Sequence, residues 1–548
     1  MLDFRTAMNR LDQVVHHAGT LAILARTGII RPTRPDRLAR MAWTLHRWGP
    51  TLAAGAIASA ARHPDRVAVV DELGQLTWEE VHRRSNALAH ALRAEGLRAG
   101  DGIAILCRNH RGFIDATLAA MKLGLTGLYL NTMFAGPQIT DVVRRERPKA
   151  ILHDAEFEEL CDEAAQGLRR YIGWHDADTP AKHPVIEDLI EAFDPADLEP
   201  PAEKGRVIIL TSGTTGTPKG AQRKQPDTID PIASLFGKIP LRVLEPTMIA
   251  APMFHSWGML HFALGLSLSS TLVLRRKFDP EETLSAIAQH QATALVVVPI
   301  MLSRILELPE ETFRNYDLSS LRVIAASGSA LPGELATKVM DRFGDVLYNL
   351  YGSTEVAWAT IATPQELRAA PGTAGTPPRG TVLRILDEHG REVPRGETGR
   401  IFVGNEMAFE GYTGGGNKDV VDGLMSTGDV GHLDEAGRLF VDGRDDEMIV
   451  SGGENVFPRE VEDLLARHED VEDVAVIGVD DEQFGQRLKA FVVPRDRGRG
   501  ADEDALKAYV KRNLAGYKVP REIVFRDELP RNATGKVLKR ELRDDDAA

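Results

Sequence analysis

Cysteine is nearly absent from this chain of 548 residues, which holds only Cys107 and Cys161. The two stand far apart with no Cys-x-x-Cys spacing, so neither a disulfide framework nor a structural zinc site is readable, and a reducing cytoplasm fits. Cys107 closes the apolar run GIAILC and reads as a small buried hydrophobe. Also missing is a charge-free apolar run of about 18 residues, the length a bilayer-spanning helix needs. The start, MLDFRTAMNRLDQ, has no basic stretch leading into an apolar one, so no signal peptide is expected. Positive charge is not in excess either. Lys plus Arg number 66 against 80 Asp plus Glu, a net charge of −14. That balance argues against a dedicated nucleic-acid binder, whose affinity rests on neutralising phosphates. No fixed-period repeat and no low-complexity tract interrupts the chain.

What is present reads as a multidomain α/β protein, since the length exceeds one ordinary core. From Val67 onward apolar strands (VAVVD, GIAILC, LTGLYLN, KAILHD, RVIILTS, TMIAAP, TLVLRR, ATALVVVP, LRVIAASGS, VLYNLYGSTE) are interspersed with helical stretches. That rhythm predicts mostly parallel sheets covered by helices. Thr77 and Glu80 form a capping box ahead of a helix ending near Gly96. Residues 371–443 carry many glycines and short strand signals, which predicts a β-rich subdomain within a large domain spanning 56–443. Residues 444–548 predict a small, mobile α+β domain of roughly 100 residues. Residues 1–55 form a basic amphipathic extension, and its part from Thr20 to Gly49 holds six arginines and a single acid, Asp36. It either packs on the body with its arginines in solvent or rests on an anionic membrane surface.

The strongest local signal follows the strand VIIL: Thr211, Ser212, Gly213, Thr214, Thr215, Gly216, Thr217, Pro218, Lys219 and Gly220. Glycines among hydroxyl residues let backbone N–H groups curve around an anion, and Lys219 adds a positive charge. GxxxxGK[ST] does not match here, so this is not a Walker A loop.

The run resembles the phosphate-binding signature of the adenylate-forming superfamily of acyl-CoA synthetases, peptide-synthetase adenylation domains and firefly luciferase. Further motifs follow in the family's order. Tyr351-Gly352-Ser353-Thr354-Glu355 is similar to its adenine and magnesium motif, and Gly328-Ser329-Ala330 to the segment lining the adenine and acyl pockets. Ser426-Thr427-Gly428-Asp429 resembles the segment that holds the ribose hydroxyls, and Gly443-Arg444-Asp445-Asp446 the joint between domains, with Arg444 near the ribose. Ser451-Gly452-Gly453-Glu454-Asn455-Val456-Phe457-Pro458 resembles the approach to the pantetheine channel. Pro530 to Lys536 resembles the loop of the C-terminal catalytic lysine. The resemblance reaches from about residue 60 to 536. It implies ATP, Mg²⁺ and coenzyme A as cofactors, with Glu355 and Thr214 at the metal. Lys536, Glu355, Thr214, His255 and Lys219 would be catalytic, His255 beside the acyl carboxylate. It also implies a C-terminal domain that turns about Asp446 between the two half-reactions.

Chemistry supports those roles. A carboxylate attacking the α-phosphorus of ATP brings two anions together, so cations and hydrogen-bond donors must surround the transferred group. The implied function is an acid–CoA ligase working through an acyl-adenylate. Leu130 to Pro137 and the basic N-terminus resemble fatty-acyl-CoA ligases of actinobacterial type, and Phe254, Trp257, Met259 and Phe262 could line an apolar pocket. A medium- or long-chain fatty acid is therefore expected, with aromatic and sterol side-chain acids as the other substrates. After Gly220 the chain departs from the family and reads Ala221-Gln222-Arg223-Lys224-Gln225-Pro226. Two alternatives stay open: transfer to a carrier-protein phosphopantetheine, and a non-catalytic acyl- or nucleotide-binding relative. The expected setting is cytoplasmic, with contact to the inner membrane face and to a second copy of the chain both left open.

Overall fold

The computed structural model describes residues 18–30, 34–176, 181–211, 219–223, 229–407, 409–413, 415, 417–447, 449–451, 454–481, 485–496, 501–532 and 535–547. Two large sheets form its body. The first has eight strands, and its six central ones, from Leu347–Tyr351 through Thr247–Ile249 to Val67–Asp71, run parallel. Short antiparallel strands close it at both edges, Thr360–Ala362 and Gly74–Thr77. The second has seven strands, parallel from Val207–Thr211 through Gly102–Leu106 to Arg169–Trp174. The strands are Val-, Ile- and Leu-rich because helices cover both faces of each sheet.

Between the sheets lie the helices Arg111–Leu123, every residue of which is buried, and Ser256–Leu268. Phe113 of the first meets Phe262 of the second edge to face, with ring centroids 6.5 Å apart. One core cluster joins Ile103 and Ile105 of the seven-stranded sheet to Val69, Val273 and Ile324 of the eight-stranded one. The capping box forms as expected: the Glu80 carboxylate accepts from the Thr77 N–H at 2.6 Å and the Thr77 hydroxyl accepts from the Glu80 N–H. Cys107 and Cys161 are both buried.

A third, antiparallel sheet (Val382–Leu386, Gly399–Gly404, Val420–Val421, Leu424–Leu433, Leu439–Arg444) is the β-rich subdomain. A fourth begins just beyond it, with Ile449–Ser451, Glu454–Val456, Val471–Asp481, Gly485–Pro494 and Glu522–Phe525, covered by helices Pro458–Leu465 and Glu503–Asn513. The composition gave no sign that the divergent run after Gly220 begins in a strand. Lys219–Arg223 pairs antiparallel with Val207–Thr211 on one side and Phe409–Tyr412 on the other. No helix among the described residues is long and apolar enough to cross a membrane.

Candidate active site

Parallel strands deliver their C-terminal ends to one edge of a sheet, and ligands gather there. Val323–Ala326 leads into Gly328, Ser329 and Ala330, while the neighbouring strand Leu347–Tyr351 leads into Gly352, Ser353, Thr354 and Glu355. Thr211 ends the strand Val207–Thr211 and pairs with Lys219, so the two flanks of the phosphate-loop candidate are pinned together. Ser212, Gly213, Thr214, Thr215 and Gly216 lie outside the described residues, as do Gly452 and Gly453.

Three candidates meet at Asp429. Strand pairing places Asp429 opposite Arg444, and an Arg444 guanidinium nitrogen lies 3.2 Å from the carboxylate. The Tyr351 hydroxyl donates to the other carboxylate oxygen at 2.6 Å. Burial raises the Asp429 carboxyl above its ordinary range, while Arg444, Tyr351 and Lys536 pull it back. Burial and the Asp429 charge together push the Tyr351 phenol well up. The Tyr351 phenol is the donor of this pair, and the remaining lone pairs of the Asp429 oxygens suit vicinal hydroxyls.

Glu355 is buried nearby and accepts from the Tyr412 hydroxyl at 2.5 Å. Lys219 stands over the Tyr412 ring, its ammonium 5.2 Å from the centroid. The Ser353 hydroxyl accepts from the backbone N–H groups of Glu355 and Val356, which fixes the turn. Gly352 has no room for a side chain, because a Cβ there would run into the Ala357 carbonyl. Ala357 itself has φ of +64°, a left-handed conformation costly for a residue with a Cβ. A carboxylate held this way, with oxygen lone pairs beyond the one Tyr412 uses, fits a hard divalent cation.

His255 precedes helix Ser256–Leu268, beside Phe254. Burial lowers its pKa to about 4, and its Nε2 is buried without a protein partner. At neutral pH the ring is uncharged and retains a hydrogen-bonding nitrogen for a ligand. Lys536 is exposed on a turn that Asn532 closes by accepting from the Lys536 N–H at 2.9 Å. Gly535 in that turn is left-handed, at φ +77°, and touches the large domain: a Cβ would run into Ile300. The Lys536 charge is felt at Asp429. The small domain thus presents Lys536 to the cleft that holds Asp429 and Arg444.

Two cleft residues carry no signal in the sequence. Tyr412 reaches Glu355 only because its strand pairs with Lys219–Arg223. The Lys418 ammonium stands by Gly428 beside Arg444, so close that a Cβ at 428 would crowd both. The expected pocket residues Phe254, Trp257, Met259 and Phe262 are buried in the main core cluster. The Trp257 ring donates to the Val297 carbonyl at 3.0 Å and meets His261 edge-on at 4.4 Å.

Comparison with known proteins agrees with this geometry. The AMP-binding enzyme family model matches residues 57–413, and the AMP-binding enzyme C-terminal domain matches residues 460–536. A feruloyl-CoA synthase from Amycolatopsis is 35% identical over 494 residues, covering 88% of this chain and 96% of the relative. An indoleacetate–CoA ligase from Aromatoleum aromaticum is 33% identical, covering 88% of this chain and 96% of the relative. Among solved structures, ATP-bound MatB from Rhodopseudomonas palustris superposes with a TM-score of 0.80 at 27% identity, covering 90% of this chain and 98% of MatB.

Proposed function

The chain belongs to the AMP-binding enzyme family, and from that premise we propose that it joins a compact aromatic carboxylic acid to coenzyme A. At the coarser level it is an AMP-forming acyl-CoA synthetase using ATP, Mg²⁺ and coenzyme A. An acid carboxylate oxygen attacks the α-phosphorus of ATP, and pyrophosphate leaves. The coenzyme A thiol then gives up its proton, its sulfur attacks the acyl carbonyl, and AMP leaves. The observation that carries the assignment of residues is the convergence of Asp429, Arg444, Tyr351, Glu355 and Lys219 in one cleft into which Lys536 reaches.

Asp429 accepts from the ribose hydroxyls, with Arg444 and Tyr351 holding it in place. Glu355 would hold Mg²⁺, which screens charge on the phosphates when bound. Lys219 and Lys536 offset the negative charge that gathers when two anions react. Neutral His255 offers a hydrogen bond at the acyl carboxylate. Two features support a compact acid. The Trp257 indole is tied to Val297, and Phe254, Met259 and Phe262 are packed in the main core cluster. Two relatives, moreover, are named for feruloyl and indoleacetate, both aromatic acids. The fatty acid expected from the sequence is the competing substrate.

Thioester formation from ATP and coenzyme A decides the matter across cinnamates, arylacetates, benzoates and fatty acids of increasing length, with pyrophosphate exchange run alongside. Turnover peaking at an aromatic acid is the expected result. A maximum at a medium or long alkyl chain would overturn the compact-acid reading while leaving the ligase in place. Exchange without any coenzyme A product would point to a carrier-protein thiol as acceptor.

A further inference from the structure

Helices at the edge of a domain bury their apolar side and show polar groups to water. The N-terminal segment buries Leu24 and Trp48 but also shows several large apolar groups to water. Along the helix at 18–27 the buried positions are Leu24 together with Thr20 and Thr27, whose hydroxyls are satisfied by Asp230 and the Leu24 carbonyl. The outward positions are Ala18, Leu21, Ala22, Ala25 and Arg26, and exposed Ile30 follows. On helix Pro35–Trp48, Thr44 and Trp48 turn inward, whereas Arg40, Trp43 and Leu45 face out. Leu21 is 55%, Ile30 47%, Trp43 61% and Leu45 45% exposed. Of the eleven exposed large hydrophobics among the described residues, four fall in this short stretch, and a fifth, Ile229, adjoins the Asp230 that holds Thr20.

The charge of the stretch is opposite to that of the molecule. Six arginines stand against Asp36 between Thr20 and Gly49, in a chain of net charge −14. Arg37 donates to the Arg62 carbonyl and Arg47 pairs with Glu199, which ties the segment to the body. Arg26, Arg34 and Arg40 remain on the exposed side. Outward Leu, Ile and Trp interspersed with arginine match the boundary of a bilayer that carries anionic lipid. The apolar groups enter between headgroups, and the guanidinium groups meet phosphates.

We propose that the outward sides of these two helices dock the enzyme on the surface of an anionic lipid bilayer. The contact is peripheral, because no described helix is long and apolar enough to cross a membrane. It depends on surface chemistry alone and stands whichever acid the enzyme activates.

The test is co-sedimentation of the full chain with phosphatidylcholine vesicles and with equimolar phosphatidylcholine–phosphatidylglycerol vesicles. Binding to the anionic vesicles only is expected. It should be lost in 1 M salt, where the Debye length falls to about 3 Å. Leu21→Ser with Trp43→Ser, and separately Arg26→Glu with Arg40→Glu, should each lower partitioning roughly tenfold or more. Pyrophosphate exchange in solution should stay at the wild-type rate in both variants, since none of these residues lies in the cleft. Equal binding to neutral and anionic vesicles overturns the proposal, as does wild-type binding by both variants. A wild-type dimer that Leu21→Ser with Trp43→Ser makes monomeric in light scattering would show that this face meets a second copy instead.

Discussion

Lys536 and Lys539 lie three positions apart in one basic tail, and composition does not tell them apart. Their surroundings do. The Lys539 ammonium lies 3.2 Å from Glu447 and 2.9 Å from Glu462, so its charge is spent inside the small domain. Lys536 is exposed and acts on Asp429 across the cleft. Lys536→Ala should lower pyrophosphate exchange by about 100-fold, the scale on which one positioned donor acts, with the melting temperature unchanged. Lys539→Ala should instead destabilise by about 2 kcal/mol, because it strands two carboxylates. Exchange unaffected in Lys536→Ala would remove that residue's role. A second residue-scale prediction concerns His261, which is fully buried with both ring nitrogens unpartnered and a pKa lowered by burial to about 3. Between that value and the unfolded one near 6.5, the unfolded chain binds a proton that the folded chain refuses. Stability must therefore fall as pH drops below 6.5, by about 2 kcal/mol at pH 5 for this ring. His261→Leu should raise the melting temperature at pH 7.5 and reduce its fall at pH 5. Identical pH dependence in both proteins would refute the account.

Register and docking decide more than composition at the scale of elements. The adjacent strands Leu424–Leu433 and Leu439–Arg444 place Asp429 opposite Arg444, and a slip of one residue would turn one of the two to the other face. Both motifs were legible in the sequence, but their pairing is a property of the sheet. The turn carrying Lys536 depends on Gly535 in the same way. Its left-handed φ and its contact with Ile300, on helix Pro299–Leu306, leave no space for a methyl group. Gly535→Ala should push the turn off the large domain and depress acyl-adenylate formation. Thioester formation from supplied acyl-adenylate should stay near the wild-type rate, which stopped-flow assay of the two half-reactions would reveal. Equal loss in both would mean that the glycine matters only for folding of the small domain.

Across the whole molecule, the cleft is assembled from strand ends of both large sheets, the antiparallel subdomain and a loop of the small domain, so function depends on how these bodies meet. The chain between the last two passes through Asp445–Glu447, a single helical turn anchored by an Arg400–Asp445 ion pair of 2.9 Å. If the small domain turns there to admit the coenzyme A thiol, Asp446→Pro should slow thioester formation at least tenfold while pyrophosphate exchange persists. Equal loss of both half-reactions would sink the hinge. The sequence by itself determined the alternation that makes mostly parallel sheets, the capping box at Thr77, and the order of motifs from Thr211 to Lys536, because these depend on local periodicity and on contiguous residues. Tertiary structure alone decided that Tyr412 would bind Glu355 and that Lys418 would stand beside Arg444. It also placed Phe262 and Met259 in the core and turned Trp43 outward. Each of those facts depends on which surfaces meet across long stretches of chain, and a hydrophobic or charged side chain reads the same in a sequence whether a wall, a ligand or water lies beyond it.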